Sequence, residues 1–156
     1  MSIWDVELDT LRASRLLALR MHVARYVVRT GAPRRNAVAV VDDATFAQQS
    51  QQLRELMEAA GAAAPDVRAR VASGLPPAEV LLVGERGAPA GAVAHALAPL
   101  AGQAVGQVWA IDAGRFALPP GPEIVDAVEW LIRIIIPEAL GANGTPPPPD
   151  VAVRVR

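Results

Sequence analysis

Hydrophobic and polar positions alternate between two rhythms along this chain. From Thr10 to about Thr30 the apolar residues fall at helical spacing, with Asp5 or Asp9 as a cap, Gly31 as the stop and Pro33 beyond it. Leu8, Leu11, Leu16, Leu19, Val23, Tyr26 and Val27 supply one apolar face, and Leu17, Met21 and Val28 add a second. A helix apolar on more than one side touches two bodies, its own domain and something else.

Three continuous apolar runs follow: "NAVAVVDD", "AEVLLVG" and "QVWAID". Such runs mark strands covered on both faces, as in a parallel sheet. They predict buried strands over 37–42, 79–84 and 107–112. Helices are expected between them: "ATFAQQSQQLRELMEAAG", stopped by Gly61, then a short one in "PDVRARVA" and a small-residue one in "AVAHALAPLAG". "PEIVDAVEWLIRIII" reads as the last helix, with Pro122 near its start and Ile124, Val125, Val128, Leu131, Ile132 and Ile135 on its buried face. The turn at Pro119–Pro122 is sharp, so Gly121→Val is expected to disrupt folding. The tail carries four consecutive prolines and then "VAVRVR", which alternates like an edge strand.

Strands alternating with helices predict an α/β chain: a single three-layer Rossmann-like lobe with a small, mostly parallel sheet and a long N-terminal helix. Segment 115–119 is a candidate fourth strand. The expected division is an N-terminal arm and long helix (1–31), an α/β lobe (32–141) and a proline-rich extended tail (142–156).

Composition narrows the chemistry. With 156 residues and 52% apolar, one domain with an ordinary core is expected. Net charge is −1, so nothing drives the chain in bulk toward nucleic acid or anionic lipid. All 15 basic residues are arginine, which removes a Schiff-base lysine and a phosphate-loop lysine. There is no cysteine for thiolate chemistry. No apolar run is long enough for a membrane span, and "MSIWDVELDT" does not read as a signal peptide. A cytoplasmic protein is therefore expected, with a periplasmic or membrane-associated place only through a partner.

Candidate site residues are few. Asp42 and Asp43 end a strand and open a helix, where α/β ligand sites gather; helix capping explains Asp43 more simply. Arg86 in "GERGAPAG" lies at a helix start that favours anions, and Arg115 sits in the loop after the third strand. His22 and His95 lie on separate helices without metal-ligand spacing. No acid–base–nucleophile set is visible, so no enzyme is expected, and no cofactor or metal is assigned.

"GQVWAIDAGRFALPPGPEIVDAVEWLIRIIIPEAL" resembles the C-terminal end of cobalamin- and siderophore-type substrate-binding proteins of ABC importers. Gly106, Val108, Asp112, Pro120, Gly121, Pro122, Val125, Asp126, Leu131, Pro137 and Glu138 carry the likeness. It extends in order back to about Thr10 and covers half of that family's two-lobed architecture. Where the family has an arginine after the "PGP" turn, this chain has Glu123. The resemblance implies a single lobe with half a ligand cleft.

Two functions follow as expectations. The first is a non-enzymatic interaction or accessory subunit of a larger assembly, contacting a protein partner or a second copy through Trp4, Leu17, Met21, Val28, Val151 and Val153. The N-terminal segment with Trp4 and the extended tail would act as arms, the tail adding a strand to a partner's sheet. The alternative is a small-molecule protein whose cleft for a corrinoid, heme or siderophore is completed by a second chain or a dimer, with Asp42, Asp43, Arg86 and Arg115 on the ligand side.

Overall fold

Apolar runs bounded by turns pair side by side because both their faces need cover. In the computed structural model, which describes residues 2–42, 46–64, 78–116, 121–141 and 144–156, they form a four-stranded sheet. The strands are β1 (Ala37–Asp42), β2 (Val80–Glu85), β3 (Gln107–Ile111) and β4 (Ala152–Arg154), in that spatial order. β1, β2 and β3 run parallel, with Ala37 opposite Val80 and Leu82 opposite Trp109. β4 is antiparallel to β3, with Ala110 opposite Val153.

The helices are α1 (Thr10–Thr30), α2 (Phe46–Ala59), α3 (Ala90–Leu97) and α4 (Ile124–Ile135). Alternation along the strands sorts them into layers. Ala37, Ala39, Val41, Val80, Leu82, Trp109 and Ile111 share a core with α1, α2 and α4. Val38, Val40, Leu81, Val83, Val108 and Ala110 face α3 through Val93 and Leu97. The architecture is thus a three-layer, mostly parallel α/β lobe with a long N-terminal helix.

Local signals explain the boundaries. Asp9, rather than Asp5, caps α1 by accepting a hydrogen bond from the Arg12 N–H at 2.8 Å. Gly31 ends α1 in the left-handed region at φ 63°. Gly61 closes the α2 turn at φ 92°, and a Cβ there would overlap Val23 Cγ1 on α1. Only glycine meets both demands.

Asn36 also bridges Ala63 in parallel. Since β1 pairs with β2, it has neighbours on two sides. The chain passes outside β1 before it reaches β2.

Several expectations change. The fourth strand is Ala152–Arg154, not segment 115–119: Ala113–Phe116 form a 3-10 turn, and 117–119 lie outside the described residues. The tail is part of the sheet, because β3 would otherwise be a free edge. Leu11, expected on the buried face of α1, is 80% exposed. The N-terminus is no loose arm: Ile3 is buried, and Ser2 donates its hydroxyl to Glu55 on α2. At Gly121 an added Cβ would meet the end of the Glu123 side chain, an exposed and movable group, so the turn demands glycine less than expected. The short helix read in "PDVRARVA" lies outside the described residues.

Candidate interaction surface and cavity

α1 packs inward through Leu16, Leu19 and Val23, with Tyr26 and Val27 partly buried beside them. The opposite side keeps an apolar stripe in water. Leu17 is 60% exposed, Met21 43% and Val28 84%. Exposed Ala24 completes the row, giving positions 17, 21, 24 and 28 at alternating steps of four and three. That is the a/d spacing of a helix seam that accepts a second helix. The sequence pattern suffices for Leu17, Met21 and Val28. Ala24, which makes the row continuous, escapes it because alanine carries little hydrophobic contrast.

Trp4 is 49% exposed and stands beside this stripe. The Arg20 guanidinium lies 4.9 Å from its ring centroid, and Arg20 directly precedes Met21. A groove of about 320 Å³ runs between the second half of α1 and the end of α2, bordered by Ala24, Val28, Arg20, Arg34 and Glu58. The stripe therefore continues into a concavity at its C-terminal end.

Charge around α1 is one-sided. The helix has five arginines and no acid. Arg12 is paired with Asp9 at 2.8 Å, and Arg15 with Asp126 at 2.6 Å and Glu129 at 3.1 Å. The Asp126 hydrogen bond raises the Arg15 pKa against the opposing effect of partial burial. Arg29 covers Tyr26 at 5.8 Å. Arg25 borders the stripe with no side-chain partner among the described residues.

The tail residues behave differently. Val151 is 2% exposed and belongs to the core, and Val153 is half-buried in the sheet. Both side chains are thus taken into the chain's own fold, so the tail is no loose arm, and β4 is the outer strand of the sheet with β3 on one side. Gly144 secures the approach to β4, since a Cβ there would stand 2.7 Å from the Pro137 carbonyl.

The strand-end candidates follow three different strands. Asp42 ends β1 in register with Glu85, and Asp43 lies outside the described residues. Arg86 is exposed in the turn after β2, closed by the Ala88 N–H donating to the Glu85 carbonyl. Arg115 is paired with Asp150 at 3.2 Å and lies 4.0 Å from Asp112, so it fastens the tail to the end of β3. His22 and His95 are not fully buried, and no group among the described residues has the makings of a metal site. No helix among them is long and apolar enough to cross a membrane.

A cavity of about 650 Å³ opens elsewhere, between the proline tail, β3–β4 and the end of α4. It meets β3 at Gln107 and Trp109, near the amino end of that strand. Arg35, Arg133 and Arg154 line it together with one carboxylate, Glu138. Arg35 donates to Glu138 at 2.8 Å and to the Ile135 carbonyl at 2.6 Å. Partial burial pushes the Glu138 carboxyl up, but the Arg35 hydrogen bond, a backbone hydrogen bond and the Arg35 charge outweigh it and hold it below its ordinary value. In the sequence Arg133 only interrupts an apolar run. Its meeting with Trp109 and Arg154 depends on β4 pairing, which no local pattern encodes.

Neither a protein-family model, a curated protein nor a solved structure matches this chain.

Proposed function

We propose that this chain is a non-enzymatic interaction subunit that docks an acidic-flanked amphipathic helix of another protein on the outer face of α1. The observation that carries this reading is the exposed row Leu17, Met21 and Val28 on a helix with no acidic residue. The apolar row supplies affinity, and the arginines select the partner. Two copies packed through this face would bring Arg20 and Arg25 toward their counterparts with no acid on either helix to meet them. Like charges across a seam oppose pairing, whereas glutamates flanking an apolar row on a partner complement them. Trp4 is well placed as an anchor at one border, since tryptophan is enriched among the residues that dominate interface energetics. The α/β lobe serves in this reading as a scaffold for one helix face.

The test uses a synthetic heptad peptide with leucine at a and d and glutamate at e and g, against the same peptide with lysine at e and g. The glutamate peptide is expected to bind the full chain saturably and the lysine peptide at least tenfold more weakly. Val28→Glu and Leu17→Glu should each abolish binding while leaving the fold intact by circular dichroism. Equal binding of both peptides, or a stable homodimer dissociated by Val28→Glu, would replace this reading with a charge-blind or self-associating surface.

A further inference from the structure

We propose that the cavity beneath the proline tail binds a small organic anion: an apolar, ring-sized body ending in a carboxylate. The inference stands apart from α1 docking and rests on three observations about the cavity wall.

The first is charge. Three arginines and one glutamate line the space. Arg35 and Glu138 neutralise each other, which leaves Arg133 and Arg154. Arg133 is engaged with Thr145 at 2.8 Å and with Glu129 at 3.6 Å. The Arg154 guanidinium has no side-chain partner among the described residues. It is a planar fork open to a planar carboxylate, the geometry of a bidentate pair.

The second is the pattern of donors. The Trp109 indole N–H is already given to Gln107 Oε1 at 3.1 Å. That bond leaves the Gln107 amide nitrogen as a donor on the same wall as Arg154. Pro146, Pro147 and Pro149 contribute the tail's part of the lining. Proline has no N–H, so this wall presents apolar ring surface and adds no competing donors. The cavity thus combines a donor-bearing wall with an apolar one. A ligand with one anionic head and an apolar body matches both.

The third is size and rigidity. About 650 Å³ lies within the range of small-molecule sites. The wall is held in place: β4 pairs with β3, Arg115 clamps Asp150, and Gly144 sits tight against Pro137. A preformed cavity loses little ordering entropy on binding. Its lining includes neither Asp42 nor Arg86, so the site differs from the ligand side expected from the sequence.

The experiment uses the full chain with Trp4→Phe and Trp130→Phe, which leaves Trp109 as the only tryptophan. 2-Naphthoate, 2-naphthylmethanol and 2-naphthylmethylamine are titrated against its fluorescence, and calorimetry of the unmodified chain provides an independent affinity. Naphthoate is expected to quench Trp109 saturably and to bind at least tenfold more tightly than the alcohol, with no binding of the amine. Arg154→Glu should weaken naphthoate at least tenfold without lowering the melting temperature, because Arg154 is exposed on the edge strand. Val28→Glu on α1 should leave naphthoate affinity unchanged. No saturable response by either method, equal affinity for the alcohol, or an Arg154→Glu affinity within twofold of the parent would overturn the proposal. Loss of binding on Val28→Glu would assign the naphthoate to α1 and overturn it as well.

Discussion

α1 and α4 are apolar-faced helices on the same side of the sheet, and they are used in opposite ways. α4 has 12 residues and buries eight of them. α1 has 21 residues and buries three. Both carry aliphatic residues on more than one side. In α4 those sides meet the sheet, α2, α1 and the turn at Phe116, whose ring lies 6.0 Å from Trp130 in an edge-on arrangement. α1 packs at the margin of that layer, so its second apolar side meets water. Amphipathicity alone therefore does not determine burial. Position in the layer does, and surplus apolar surface on a marginal helix marks a face available to another molecule.

The comparison breaks most directly through paired truncations. Leu131 on α4 is fully buried, and Leu131→Ala should cost about 2–5 kcal/mol by lost transfer energy and a residual cavity. Leu17→Ala on α1 removes a side chain already in water and should fall within about 0.5 kcal/mol. Chemical denaturation of both variants measures the contrast. A Leu17→Ala loss near that of Leu131→Ala would mean that α1's outer side is covered in the free chain, and the docking surface would vanish with it.

A smaller effect tests how α1 is held. Val23 is one of its three buried residues, and it lies against Gly61. Gly61→Ala pushes a methyl group into Val23 Cγ1 and forces alanine to φ 92°. Overpacking of this kind typically costs about 1–3 kcal/mol. The loss should appear with faster amide exchange along Leu16–Val23, since α1 has few other anchors. Gly121→Ala is the control: among the described residues its Cβ meets the movable end of Glu123, and the melting temperature should hardly change. Equal destabilisation at both positions would restore the turn at Gly121 to the importance its sequence promised.

These contrasts also mark what the sequence made legible. Strands β1 to β3 announce themselves because a strand buried on both faces has no polar positions to dilute the signal. α1's outer face is legible because Leu17, Met21 and Val28 recur on one side of a helix bounded by clear caps. β4 is half legible. Its alternation identifies an edge strand, but alternation does not say whose edge it joins, and the chain's own β3 supplies the partner. The burial of Val151 follows from that pairing and escapes the sequence for the same reason. The cavity is not legible, because Trp109, Arg133 and Arg154 come from three elements separated in sequence and meet only after β4 docks.

The smallest predicted effect concerns the far end of α4, where Arg35 holds Glu138 and the Ile135 carbonyl. Glu138's folded pKa is depressed, so its contribution is present above its ordinary pKa of about 4.3 and is lost as pH falls through the folded value. Its side chain is 44% exposed, which screens the pair and limits its worth to roughly 0.2–1 kcal/mol. Glu138→Gln should therefore cost up to that amount at neutral pH. The gap between variant and parent should close on acidification below the ordinary carboxylate range, where the parent's carboxyl is protonated too. Raising the salt concentration should narrow it at neutral pH, as for any solvent-facing pair. Denaturation midpoints across pH measure the gap. A difference that persists unchanged into acid would assign Glu138's contribution to packing at the cavity mouth, and the charge balance argued for Arg35 would lose its basis.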